Sequence, residues 1–243
     1  MSLNTLDKDE IIQFSKLAYD WWDEEGSMSF LHAMSETRTK FIKIELIEHF
    51  NLKDKNKLLK GLNILDLGCG GGIASEPLCR LGANLTGVDE SKKLIEVAKL
   101  HAKNMKLKIN YQCTSIENLI KFKNKYDVII ALELLEHVNN LKQFCKLMTN
   151  LLNENGIIIL STINKTFLSK LFVIDMAEKI LKKIPKGTHH YEKFINPIEI
   201  KDIFNNNNFH IKTIKGMNLN PINNNWKLTN NTSINYIVSL SRY

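Results

Sequence analysis

The sequence predicts an α/β fold, a doubly wound, mostly parallel seven-stranded sheet with an antiparallel pair at one edge and a helical cap at the amino terminus. Three observations carry that prediction. Residues Asn63 to Leu67 form an apolar run too short for a helix, and it breaks into the turn Gly68-Cys-Gly-Gly-Gly72. A second short run, Asn84 to Val88, is closed by the acid Asp89. Both read as buried parallel strands joined through a helix that the glycine turn opens. Further apolar runs alternate with helical periodicity, and that alternation demands right-handed crossovers with helices on both faces.

The elements follow in order. Residues 8–22 place Ile11, Ile12, Phe14, Leu17, Ala18, Trp21 and Trp22 on a helical stripe that ends in the turn Asp23-Glu-Glu-Gly26. A second helix is expected over 36–50, carrying Arg38, and both helices precede the sheet and can cover its ligand edge. Ser91 is the expected cap of a helix through Leu94, Val97 and Ala98, and Lys108 to Cys113 is the third strand. Tyr126 to Ala131 is the fourth strand, Leu134 to Leu152 reads as one helix, and Gly156 to Thr162 is the fifth strand. Phe209 to Ile214 and Ile234 to Ser241 supply the antiparallel pair, linked by a turn-rich segment around Pro221. A chain of 243 residues with 44% hydrophobic content buries one core, so a single domain is expected. It divides into a cap at 1–60, a nucleotide-binding core at 61–164, a basic insertion at 165–190 and the rest of the sheet at 191–243.

The glycines let the chain turn sharply at the strand's carboxyl end and let backbone touch a ligand without a Cβ in the way. Asp89, 21 residues after Gly68, falls at the tip of the second strand, where a carboxylate takes both hydroxyls of a ribose. NAD and S-adenosylmethionine share that ribose. The dinucleotide fingerprint needs a third small residue, which would fall on Ile73 or Ser75, and Ile73 crowds a pyrophosphate. Asp66 repels a diphosphate and suits the sulfonium and ammonium of S-adenosylmethionine, so the methyl donor is the expected ligand. Arg38 on the cap either pairs with the donor's carboxylate by a charge-assisted hydrogen bond or is an ordinary surface arginine. Ser115-Ile-Glu117 follows the third strand, where a loop can bracket the adenine.

Composition sets outer bounds. The four cysteines show no C-x-x-C spacing and no signal sequence precedes them, which suits a reduced cytosolic compartment. Net charge is +7, compatible with RNA or a phospholipid surface, but the Asn-rich patches and the excess of Lys over Arg discount charge as a signal. Residues 165–186 combine eleven apolar side chains with five lysines beyond Lys165, too many charges for a membrane span. They read either as a basic amphipathic helix on an anionic membrane or as a helix packed on the domain.

In an open α/β sheet, ligands bind outside the carboxyl ends of the strands, so the segment after the fourth strand faces the site. It reads Leu132-Glu-Leu-Leu-Glu-His137, without the Asn-Pro-Pro-Tyr that many base-methylating enzymes carry there, and nucleic acid is not expected as a partner. On a helical turn Glu133, Glu136 and His137 would share one face, a set suited to Mg²⁺ or another divalent cation that chelates a catechol. Alternatively Glu133 contacts the donor, Glu136 caps or pairs with a lysine, and His137 packs. His189 or His190, in Lys186-Gly-Thr-His-His-Tyr191, is a candidate general base or a surface histidine.

These residues together resemble the ubiquinone-biosynthesis O-methyltransferases, Rossmann-like class I enzymes that use S-adenosylmethionine on polyprenylated catechols and phenols. The likeness runs through Phe14, Trp21-Trp22-Asp23, Arg38, Leu65 to Ile73, Gly87 and Asp89, Leu135-Glu-His-Val138, Ser161-Thr-Ile-Asn164 and Pro185-Lys-Gly-Thr-His189. It implies donor contacts at Arg38, Gly68, Asp89 and Leu132, catalysis assisted by His189, and metal ligation by Glu133, Glu136 and His137. It also implies both O-methylation steps, a polyprenylated phenol or catechol substrate, and other quinone-biosynthesis proteins as partners. Peripheral attachment through 165–186 to the cytoplasmic face of an anionic phospholipid membrane follows from the same likeness. Two positions depart from the family pattern, Glu36 and Asn139-Asn140 standing where prolines are usual.

Overall fold

The structure, a computed structural model, describes residues 8–54, 57–170, 191–220 and 225–243. The helices are α1 (Lys8–Lys16), α2 (Ser29–Phe50), α3 (Ser75–Arg80), α4 (Lys92–Asn104), α5 (Ile116–Leu119), α6 (Leu141–Leu151), α7 (Phe167–Ser169) and α8 (Pro197–Asn205). The strands are β1 (Asn63–Leu67), β2 (Asn84–Asp89), β3 (Asn110–Cys113), β4 (Tyr126–Leu132), β5 (Leu152–Ile163), β6 (Phe209–Asn220), β7 (Asn225–Thr229) and β8 (Asn235–Arg242). They form one sheet in the order β3-β2-β1-β4-β5-β8-β6-β7. Pairs from β3 to β5 are parallel; β5 with β8, β8 with β6 and β6 with β7 are antiparallel.

Both faces of the central strands are buried, which is why those strands read as unbroken apolar runs. Leu65, Ile129, Ile158, Leu160 and Val238 meet Phe144 and Met148 of α6 and Phe204 of α8. Ile64, Val128, Ile130, Ile159 and Ile237 meet Phe41, Ile42 and Leu46 of α2 and Leu78 of α3. Order reverses between β1 and β4, and the crevice at that reversal is where a ligand sits in folds of this kind.

Several expectations need adjustment. The sheet has eight strands rather than seven, because the chain beyond Ile214 continues as β6 to Asn220 and pairs with β7 before β8 begins. The stripe over 8–22 is not one helix: α1 stops at Lys16, and Ala18–Asp20 is a 3-10 turn that redirects the tryptophans. Helix α2 begins at Ser29, upstream of the expected 36, and runs through Glu36 without a break, which a proline there would oppose. Segment 134–152 is also divided, into a 3-10 turn at Leu135–His137 and α6, with Val138 extended between them. Asn140 starts α6 by accepting a hydrogen bond from Gln143 N–H at 3.1 Å, so one of the two asparagines at the family's proline position has a capping role. Ser91 caps α4 as expected, accepting from Leu94 N–H at 3.3 Å.

Candidate active site

The glycine turn leaves β1 with Gly68, Gly70 and Gly72 at φ of +67°, +53° and +96°, a left-handed path that disfavours side chains. Gly68 N–H and Cys69 N–H both donate to Val88 O, at 2.8 and 3.0 Å, which ties the loop to the end of β2. Asp89 then sits beside the loop, its carboxylate accepting from Gly70 N–H at 3.0 Å and from Ser91 N–H at 2.8 Å. Burial raises its pKa, and the backbone hydrogen bonds from Ser91 and Gly70 oppose that rise. Next to it, Glu90, Cys113, Ser115, Glu117 and Asn118 line a cavity of about 420 Å³ at the carboxyl ends of β2 and β3. This is the side on which the 115–117 loop was expected to bracket a base.

Beneath the turn, Asp66 is buried and accepts from Ser75 Oγ at 2.6 Å. Burial pushes its pKa up to about 7, with Asp89 adding and the Ser75 hydrogen bond opposing. Its folded-state value lies above the ordinary 3.8, so the stability from the protonated form is whole below that pH and is lost as pH rises towards about 7. Asp66→Asn keeps an oxygen for Ser75 and is expected to flatten the fall in melting temperature across that interval. An unchanged slope would contradict the assignment.

Leu132 ends β4 opposite Ser161 of β5, and the backbone then turns through Glu133 at φ +51°, an uncommon conformation for a residue with a side chain. Ser161 holds the turn: its carbonyl accepts from Glu133 N–H at 3.0 Å and its hydroxyl donates to Glu133 Oε1 at 2.7 Å. Arg38, buried on α2, pairs with the same oxygen at 2.9 Å. Gly68, Asp89 and Leu132 thus stand at the carboxyl ends of β1, β2 and β4, and Arg38 reaches the segment that follows Leu132. The arginine is not a surface residue.

Glu133, Glu136 and His137 do not share one face of a regular helical turn. A left-handed Glu133 followed by a 3-10 turn breaks the helical spacing on which the expected face depended. Glu133 is held by Arg38 and Ser161, Glu136 Oε2 accepts from Thr162 Oγ1 at 2.8 Å, and His137 meets Phe14 edge-on at 5.0 Å. Glu136 Oε1 is buried without a hydrogen-bond partner, yet among the described residues no group of three or more His, Cys, Asp or Glu side chains is placed to hold a metal ion. Burial first, then Glu133, pushes the Glu136 pKa up to about 8. His189 and His190 lie outside the described residues.

Sequence reasoning missed the roles of Ser161 and Thr162, which bind the two glutamates, and of Trp21, which packs against the glycine turn. The paired tryptophans were visible, but a helical stripe does not show that its end folds over the loop.

Residues 65–160 match the family model of a methyltransferase domain. The ubiquinone biosynthesis O-methyltransferase of Pelagibacter ubique is 49% identical, over 97% of this chain and 98% of its own length. The mitochondrial one of Arabidopsis thaliana is 42% identical over 97% of this chain and 74% of its own, and that of Rickettsia typhi 41% identical over 99% and 95%. Among solved structures, magnesium protoporphyrin IX methyltransferase from Synechocystis PCC 6803, with bound SAH, aligns at a TM-score of 0.69 and 22% identity, covering 98% of this chain and all of that one. That is a likeness of fold, and it bears out the class I methyltransferase architecture. At the identities of the full-length relatives, the chain belongs to the ubiquinone biosynthesis O-methyltransferase family.

Proposed function

We propose that this chain transfers the methyl group of S-adenosylmethionine to ring hydroxyls of polyprenylated phenol and catechol intermediates of ubiquinone, at both O-methylation steps. The observation that carries the donor half is the glycine turn locked to Asp89 beside the 420 Å³ cavity, an arrangement suited to adenosine. The acceptor half is supported by the full-length relatives, whose names specify O-methylation in ubiquinone biosynthesis.

The reaction is an in-line displacement. A phenolate oxygen attacks the sulfonium methyl carbon, the carbon–sulfur bond breaks, and S-adenosylhomocysteine leaves with the electron pair. Positioning supplies most of the acceleration. Gly68, Asp89 and Leu132 set the donor at the strand ends, Arg38 takes its carboxylate side, and His189 is the proposed base for the ring hydroxyl. Since Glu133, Glu136 and His137 are not gathered as ligands, no step is assigned to a divalent ion. Methyl transfer to a catechol acceptor is expected to be the same in excess EDTA; a loss on chelation that Mg²⁺ restores would return the three residues to a metal site.

The substrate's tail calls for a membrane-facing approach. Among the described residues no helix is long and apolar enough to cross a membrane. Phe167 and Leu168 are exposed, flanked by Lys165 and Lys170, at the start of the segment proposed to lie on anionic phospholipid; residues 171–190 fall outside the described ones. A cytoplasmic protein held at the inner face, meeting other quinone-biosynthesis proteins there, fits that approach. The deciding experiment measures transfer of labelled methyl from S-adenosylmethionine to a short-chain demethylated quinol. Turnover is expected, and none with a protein that still binds the donor would favour a non-catalytic quinone carrier.

A further inference from the structure

Among the described residues, the buried side-chain nitrogens without a hydrogen-bond partner include two from the segment before the sheet, Trp21 Nε1 and Arg38 Nε. Trp21 is 6% exposed, and a buried N–H lacking an acceptor is uncommon enough to need an explanation. Its indole lies against the glycine turn. A Cβ at Gly71 would stand 2.2 Å from Trp21 Cδ1 and 2.8 Å from Nε1, and one at Gly70 would stand 2.3 Å from Cζ2. Gly71 is not among the glycines at positive φ, so its missing side chain is explained by the indole rather than by the turn.

The indole's position is over-determined. Trp22 Nε1–H donates to Gly71 O at 2.9 Å, its ring stacks on His101 at 3.5 Å and 8°, and His101 Nδ1 lies 2.6 Å from Glu76 Oε1. The Ser15 and Ser91 hydroxyls meet at 2.6 Å, and Phe14 packs edge-on against Trp21. A free N–H held this firmly against a ligand loop is a group in want of an acceptor.

Polarity says which acceptor. At the tip of β2, Asp89 and the unpartnered Glu90 Oε1 offer acceptors, as ribose hydroxyls and an adenine amine require. On the side covered by the segment before the sheet, Trp21 Nε1 and Arg38 Nε are unfilled donors, as a carboxylate requires, and Glu136 Oε1 near Arg38 is an unfilled acceptor, as the methyl donor's ammonium requires. We infer that Trp21 is a donor-binding residue, its Nε1–H donating to the amino-acid carboxylate of S-adenosylmethionine, with Trp22 on His101 as the clamp that positions it. The inference rests on the donor assignment proposed above.

The test uses S-adenosylhomocysteine, which carries the same carboxylate. Trp21→Phe keeps a ring on the glycines and removes only the N–H, and a charge-assisted hydrogen bond predicts a dissociation constant about 10- to 100-fold higher by calorimetry. Equal affinity in wild type and in folded Trp21→Phe overturns the inference; no binding to wild type overturns the donor assignment itself. Should Trp21→Phe fail to fold, the wild-type protein decides through its three indole N–H signals, assigned by elimination with Trp22→Phe and Trp226→Phe. At saturation the Trp21 indole proton is expected to move downfield and gain protection from solvent exchange. An unmoved, unprotected Trp21 signal overturns the inference.

Discussion

Asp89→Ala is expected to weaken S-adenosylhomocysteine binding by about 100-fold or more, because the proposed role of Asp89 gives it two charge-assisted hydrogen bonds to ribose hydroxyls that would be lost together. The change reaches beyond the ligand. Gly70 N–H and Ser91 N–H lose the acceptor that fixes the turn against the start of α4, so the loop itself is less well set for the donor. The check is calorimetry on a variant whose melting transition remains cooperative. Near wild-type affinity in that variant would remove Asp89 from the donor site.

Arg38→Met is the largest expected effect on stability. It leaves Glu133, held at positive φ and mostly buried, with Ser161 as a remaining polar contact and beside the carboxyl of Glu136, whose own pKa Glu133 helps to raise. Removing one partner of a buried ion pair costs about 3 kcal/mol or more, since the other charge stays in place without its counter-ion. Denaturant unfolding should show that loss, and adding Glu133→Gln should recover most of it, because the second change removes the uncompensated charge. If the double variant is no more stable than Arg38→Met alone, the ion pair is not what holds the turn after β4. Donor binding should fall in both variants, since the guanidinium is absent from each.

The central sheet and the donor end were legible because they rest on local rules. Buried parallel strands read as short apolar runs, and a turn at positive φ selects glycine, so β1, the glycine loop and the distance to Asp89 could be placed from residue order alone. The remainder was set by contacts between distant parts of the chain. Glu133 looked helical within a leucine-rich stretch, yet Ser161 and Arg38, from β5 and α2, hold it in a conformation its own sequence does not favour. That one residue takes the segment off the helical path on which a shared face was expected. Strand β7, Asn225-Trp-Lys-Leu-Thr229, has little strand propensity at its polar end and exists through pairing with β6, which is why seven strands were expected and eight are present. Trp21 and Trp22 were placed on a helical stripe, and the 3-10 turn at Ala18–Asp20 instead carries them onto the glycine loop.

The whole assignment depends on the glycine loop and Asp89 receiving adenosine attached to a sulfur amino acid. Calorimetric titration of the wild-type protein with S-adenosylhomocysteine and, separately, with NAD tests it directly. Saturable one-to-one binding of the first, with no heat from the second, is the expected result; tight binding of NAD with none of S-adenosylhomocysteine would contradict it.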